Sequence, residues 1–350
     1  MVENLLHPTL LARLLGALAA LGVTVVASGV GLQVLAARRA QGSTDPASLR
    51  EATIVLERRA ELAAMLVQAA MVFQLLNVVL SVVAADRLSA SVQGAMCAYG
   101  VLDLGSSGFA MLGVTVLTAL SCALWLAVYR YDLRLPSSSL GAVTWRALLL
   151  IAPLLALDFA LTLRFALSLD LSVVASCCAS QLDPEVAAAL GAHVALPRVA
   201  FGVAVGASLT SAALGLRMQR SDTRALAPLL ALSSVVACLA SVPAIMGFVA
   251  PHAYGSPVHT CPFCLLHADV WGVGWPLFGA LFAGLALGPV PAVVRALSRI
   301  SGEREHARAL ERAAARFAAY AFVAAFALLL APVVVYLVRS GGVSVFGGAG

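Results

Sequence analysis

The residues best able to do chemistry in this chain are its cysteines. Seven are present; Cys122 and Cys238 lie inside long apolar stretches, and Cys97, Cys177, Cys178, Cys261 and Cys264 lie in the breaks between such stretches. The densest cluster of reactive side chains is His259-Thr260-Cys261-Pro262-Phe263-Cys264-Leu265-Leu266-His267. A Cys-x-x-Cys with proline after the first cysteine can open a helix, with Thr260 or Cys261 as cap and Pro262 in the first helical position. Cys261 would then stand at the positive end of a helix, where a thiol is acidified and made nucleophilic. Cys264, three residues on, could attack a mixed disulfide on Cys261, which is thiol–disulfide exchange. The same spacing serves equally as half of a soft-metal site, with His252, His259 and His267 nearby. A purely structural role fits poorly. Five loop cysteines cannot all pair within one chain, and neighbours such as Cys177 and Cys178 rarely bond each other. There is no second Cys-x-x-Cys, and no Cys-x-x-Cys-His for covalent haem attachment.

The elements that must position these residues are membrane helices. The mean hydropathy is +0.97 and only 11% of residues are charged, against about a quarter in soluble domains. Apolar runs long enough to cross a bilayer recur along the whole chain. They predict an all-α, polytopic helical bundle with eight transmembrane helices at about 10–37, 63–85, 107–129, 145–168, 197–217, 226–250, 275–298 and 315–338. The charged segments 47–62 and 300–316 read as extensions of these helices, with Glu and Arg at helical spacing.

All 22 basic residues are arginine. Seventeen fall in the four loops after spans 1, 3, 5 and 7, and four (Arg13, Arg87, Arg198 and Arg339) fall on the opposite side, with Arg164 inside a span. The positive-inside rule places the Arg-rich loops in the cytoplasm and both termini outside it. The five loop cysteines then all face the non-cytoplasmic side, and the cytoplasmic loops hold none. Arg-only basicity and abundant alanine suit a bacterial inner membrane with the cysteine-bearing loops in the periplasm, an oxidising compartment. The first apolar run is too long for a signal peptide and Arg38-Arg39 follows it like a stop-transfer flank. The positive charge is therefore topological, and no basic cluster with interleaved aromatics suggests a nucleic-acid partner.

The chain reads as one membrane domain over 1–350, divisible into four-helix halves 1–168 and 186–340. Cys97-Ala98-Tyr99-Gly100-Val101-Leu102 echoes Cys261-Pro262-Phe263-Cys264-Leu265-Leu266. A parallel duplication would explain the echo, as would chance matching in a sequence of such low complexity.

Cys261-Pro262-Phe263-Cys264, followed by Trp271 or Trp275 and by Pro276-Leu277-Phe278, resembles the vitamin K epoxide reductase-like family of membrane thiol oxidoreductases. The resemblance covers about residues 145–298. It implies a four-helix bundle over spans 4 to 7, with Cys261 and Cys264 facing a quinone. By the same resemblance Cys177 and Cys178 would shuttle electrons from a periplasmic thioredoxin-like or thiol-bearing protein. The adjacency of Cys177 and Cys178 departs from the family, whose shuttle cysteines are separated.

Asp158 and Arg164 are the clearest ionisable residues inside a span. Asp158 could relay protons for quinone chemistry, or simply hold helices together. Gln68, Gln74 and Asn77 suit helix packing, and Gly272 and Gly274 before Pro276 suggest an interrupted helix start. No nucleotide loop, serine triad or paired-carboxylate site is present.

Two functions follow. The first is a membrane thiol–disulfide oxidoreductase working between periplasmic thiols and a membrane quinone, with Cys261, Cys264, Cys177 and Cys178 as its catalytic residues. The second is a membrane protein that binds or transports a soft metal ion of the copper or mercury type through Cys97, Cys177, Cys178, Cys261, Cys264 and His259. The first requires Cys261 and Cys264 close enough to bond with a shuttle thiol in reach. The second requires three or more thiols converging on one point.

Overall fold

A computed structural model describes residues 7–40, 46–104, 107–135, 140–169 and 195–347, and every regular element among them is helical. Eight helices are long and apolar enough to cross a membrane. They are α1 (Pro8–Ala40), α2 (Pro46–Ser89), α3 (Gly108–Asp132), α4 (Gly141–Ser168), α5 (Ala195–Arg217), α6 (Leu226–Tyr254), α7 (Gly274–Ser301) and α8 (Arg304–Arg339). The chain is a multi-pass membrane protein, and its lipid-facing surface is apolar side chains such as Val26, Leu150 and Leu239. The charged segment 47–62 is helical and continuous with α2, and 304–316 is continuous with α8 after a break at Gly302 and Glu303. Cys177 and Cys178 lie outside the described residues.

The helices form two compact units. In the first, which holds α1 to α4, each helix packs against its neighbours in sequence and α1 closes the ring on α4. Apolar burial drives association weakly in lipid, so close packing and internal polar bonds must hold such a bundle. Both are present. Small residues line the α1–α2 seam (Ala20, Ala27, Ala63 and Ala70), and Met71, Trp125, Leu148 and Leu155 fill the centre. The Trp125 indole N–H donates to the Thr144 carbonyl at 3.0 Å, so its polar edge is satisfied inside the bundle.

A buried polar cluster joins all four helices of this unit. Arg13 on α1 donates through Nη2 to both carboxylate oxygens of Asp158 on α4, at 2.7 and 2.9 Å. Arg13 also donates to Ser81 and Thr115, while Asp158 receives Gln74 and Thr115. Asn77 donates to Gln74 at 2.9 Å. Asp158 therefore accepts hydrogen bonds from three residues on three other helices, and each of them favours the ionised carboxylate.

The second unit takes in Gly94–Gly100 together with the chain from Ser176 onward. Its helices pack in the same cyclic order, with α5 against α6 and α8, and α7 against α6 and α8. Pro243 interrupts the hydrogen bonding of α6, and a π-helical turn over Ile245–Val249 follows it. There α5 comes close: a side chain at Gly247 would lie 2.5 Å from the Pro197 ring. α6 ends at Gly255, whose φ of +64° is a left-handed helix stop. At the opposite end, Arg295 of α7 is buried against Glu311 of α8 and Asp222 of the α5–α6 turn, with N–O distances of 2.6 and 2.9 Å. These bonds fix the ends of three helices. The far end of α6 and the start of α7 carry the cysteines between them.

Candidate thiol centre

The segment between α6 and α7 folds through short turns rather than a helix. Pro262 leads into a single 3-10 turn, Phe263–Leu266, closed by bonds from Leu265 N–H to Pro262 and from His267 N–H to Cys264, at 3.3 and 3.0 Å. His267 is extended and ends the turn, and a second 3-10 turn spans Ala268–Val270. Trp271 and Gly272 both adopt left-handed backbone, φ +64° and +60°, and turn the chain into α7. Such a conformation is costly for tryptophan, but Trp271 is 91% exposed and has room for its side chain. Gly274 starts α7 against the cysteine turn. A Cβ there would sit 2.9 Å from the Leu265 carbonyl carbon, so only glycine lets the two segments meet.

This corrects the helix expected at Pro262. No α-helix begins there, and a four-residue turn supplies no appreciable dipole to acidify Cys261. The turn does something else. The chain folds back into it so that Cys261, just before the turn, and Cys264, within it, come together.

Cys97 meets them from a distant part of the sequence. Its Sγ lies 3.3 Å from that of Cys261, across 164 residues of chain. The Sγ atoms of Cys97, Cys261 and Cys264 all fall within 4.8 Å of one another. The three residues are 0%, 5% and 4% exposed, and Tyr99, Tyr254 and Phe263 pack around them. Cys97 and Cys261 are thus in direct sulfur–sulfur contact. Its length exceeds the roughly 2.05 Å of a disulfide bond.

Tyr254, the last residue of α6, organises the surroundings. Its hydroxyl donates to the Cys264 carbonyl at 2.8 Å. Its ring stacks on His259, with centroids 3.8 Å apart and planes inclined by 16°. His259 Nε2 is buried and has no hydrogen-bond partner. Trp275 donates to the Leu266 carbonyl at 3.2 Å and pins the far side of the turn. A cavity of ≈ 380 Å³ adjoins this region, lined by Asp269, Val270, Val273, Pro332, Tyr336 and others.

The remaining candidates divide plainly. His252 has both ring nitrogens engaged, with the Phe248 carbonyl at 2.7 Å and the Ser344 hydroxyl at 3.1 Å, so it is not poised as a ligand. Cys122 belongs to the apolar core of the first unit, and Cys238 donates to the Leu281 carbonyl. Asp158 sits in the ion-paired cluster of the first unit, and Arg164 is exposed. Sequence reasoning missed two residues. Arg13 sits six residues after His7, inside an apolar run, and nothing local along the chain marks it as the partner of Asp158. Tyr254 carried no motif at all.

Comparison with known proteins yields no match: no family model, curated protein or solved structure is significantly similar to the chain.

Proposed function

We propose that this is a multi-pass membrane protein that binds a soft metal ion through Cys97, Cys261 and Cys264 on its non-cytoplasmic side. One observation carries the reading: three buried thiols from two separate loops converge on one point. Metal–thiolate bonds of about 2.3 Å around one ion require sulfurs about 4.0 Å apart when the three share a plane with it. One pair of sulfurs here lies 3.3 Å apart and all three lie within 4.8 Å of one another, close to that figure. Thiolate is the ligand that selects soft or borderline ions from the copper and zinc group. Enclosure by Tyr99, Tyr254 and Phe263 suits a held ion and restricts water. The non-cytoplasmic placement rests on the arginine distribution alone.

Thiol–disulfide exchange with a membrane quinone remains a second reading, favoured by the short Cys97–Cys261 contact and the neighbouring cavity. Exchange with a protein partner needs a sulfur that a partner can reach, and these three are almost fully buried, which is why metal binding ranks first.

The test is metal titration of the reduced, detergent-solubilised protein with Cu(I) and Zn(II) against chelators of known affinity. One ion per chain, lost in a Cys261→Ser variant, supports the proposal. No binding above that of a variant lacking all three cysteines rejects it. If thiol trapping then shows a Cys97–Cys261 redox state that follows the quinone pool, the exchange reading takes its place.

A further inference from the structure

Resting on the metal reading above, we infer that His259 supplies a fourth ligand, making the site a Cys3His centre for a divalent ion of the zinc class.

The observation that points to a ligand is the His259 ring itself. Its Nε2 is buried with no hydrogen-bond partner. A buried imidazole nitrogen without a partner is disfavoured, so a structure that keeps one needs something for it to bind. The ring is not loose. It lies flat on Tyr254, whose hydroxyl is bonded to the carbonyl of Cys264. One tyrosine therefore couples the imidazole to the cysteine turn. His259 also sits two residues before Cys261, in backbone that is neither helical nor paired in a strand. Its backbone N–H bonds to the Ser256 carbonyl at 3.2 Å, a bond that does not involve the ring. His259 stands outside the 4.8 Å group of the three sulfurs, so its approach accompanies ion binding.

Charge selects the ion. Three thiols that bind a metal release three protons and leave three negative charges in a buried site. A monovalent ion would leave a residual charge of −2 and a divalent ion −1, and the smaller residue is favoured where the dielectric is low. Zinc also takes four ligands in tetrahedral geometry, and three cysteines with one histidine is an established set for it. Cu(I) is satisfied by thiolates alone and gains little from the imidazole. His259 thus discriminates between ions that the three cysteines by themselves would both accept.

The experiment uses the full chain, reduced and in detergent under anaerobic conditions, with Co(II), Zn(II) and Cu(I) as separate probes. Wild-type protein loaded with Co(II) is expected to give the intense visible bands of a tetrahedral sulfur-rich centre. His259→Ala should lose that intensity and bind Zn(II) about 10- to 100-fold more weakly, with Cu(I) affinity unchanged within about threefold. His259→Cys restores a fourth donor and should recover Zn(II) binding, which separates ligand loss from misfolding. Unchanged Zn(II) affinity in His259→Ala overturns the inference, as does an equal loss for Zn(II) and Cu(I). Either result leaves the three-cysteine site standing, provided Cys261→Ser abolishes binding. If wild type and Cys261→Ser bind both metals alike, the metal reading itself has failed.

Discussion

Cys97 and Cys261 lie 164 residues apart in sequence, and their sulfurs lie 3.3 Å apart in the fold. The pairing suggested by spacing alone was Cys261 with Cys264. The structure adds Cys97, whose sulfur meets that of Cys261. Mild oxidation of metal-depleted protein should therefore link Cys97 to Cys261. A bound soft ion should slow that reaction. Peptide mapping of the oxidised protein decides it, and the absence of any Cys97–Cys261 disulfide contradicts the geometry.

The ion pair of the first unit gives a stability prediction. Arg13 and Asp158 are 1% and 0% exposed. Removing one partner strands a charge inside the bundle, so Asp158→Ala should destabilise the protein by about 3–5 kcal/mol. The double variant Arg13→Met with Asp158→Leu strands none and should recover most of the loss. Thermal unfolding in detergent measures both. Equal destabilisation by the single and double variants would mean the pair contributes beyond mutual neutralisation.

The eight spans were legible because bilayer crossing imposes a long apolar run on each helix. The expected 197–217 and 275–298 coincide closely with α5 and α7. Less was legible at the site. Pro262 suits the first turn of a helix, yet the chain makes one 3-10 turn, because it must reverse at Trp271 and Gly272 to enter α7. The partner of Asp158 was hidden for a different reason. Hydropathy and Arg counts are local along the chain, whereas the Arg13–Asp158 bond spans 145 residues. The same limit hid the meeting of Cys97 with Cys261, although the echo between their flanking sequences placed both cysteines at equivalent points of two halves.

At the opposite end of the second unit, Asp222 gives a pH prediction. Burial alone would raise its pKa, but the hydrogen bond from Arg308 and the charges of Arg308, Arg295 and Arg304 outweigh it and hold the carboxyl below its ordinary value of 3.8. A carboxylate with a depressed folded-state pKa contributes stability above the unfolded value and loses it as pH falls through the folded one. Thermal stability should therefore decline below about pH 4, and Asp222→Asn should flatten that decline while lowering stability at neutral pH. The side chain is 31% exposed, so solvent screening keeps the effect modest. An unaltered acid profile in Asp222→Asn would remove Asp222 from the account.

Gly274 tests whether helix packing sets the thiol geometry. Gly274→Val puts a branched side chain where even a Cβ comes within 2.9 Å of the Leu265 backbone. The turn carrying Cys261 and Cys264 must shift, and metal affinity should fall at least about tenfold with helical content retained. Circular dichroism and metal titration on the same sample give the comparison. Wild-type affinity in this variant would mean the cysteines do not depend on that contact.

The most direct measurement of the central claim is X-ray absorption at the metal edge of purified, stoichiometrically loaded protein. The proposed site predicts three sulfur scatterers at about 2.3 Å from the ion, falling to two in Cys97→Ser. A first shell made only of oxygen and nitrogen, or one unaffected by Cys97→Ser, would contradict it.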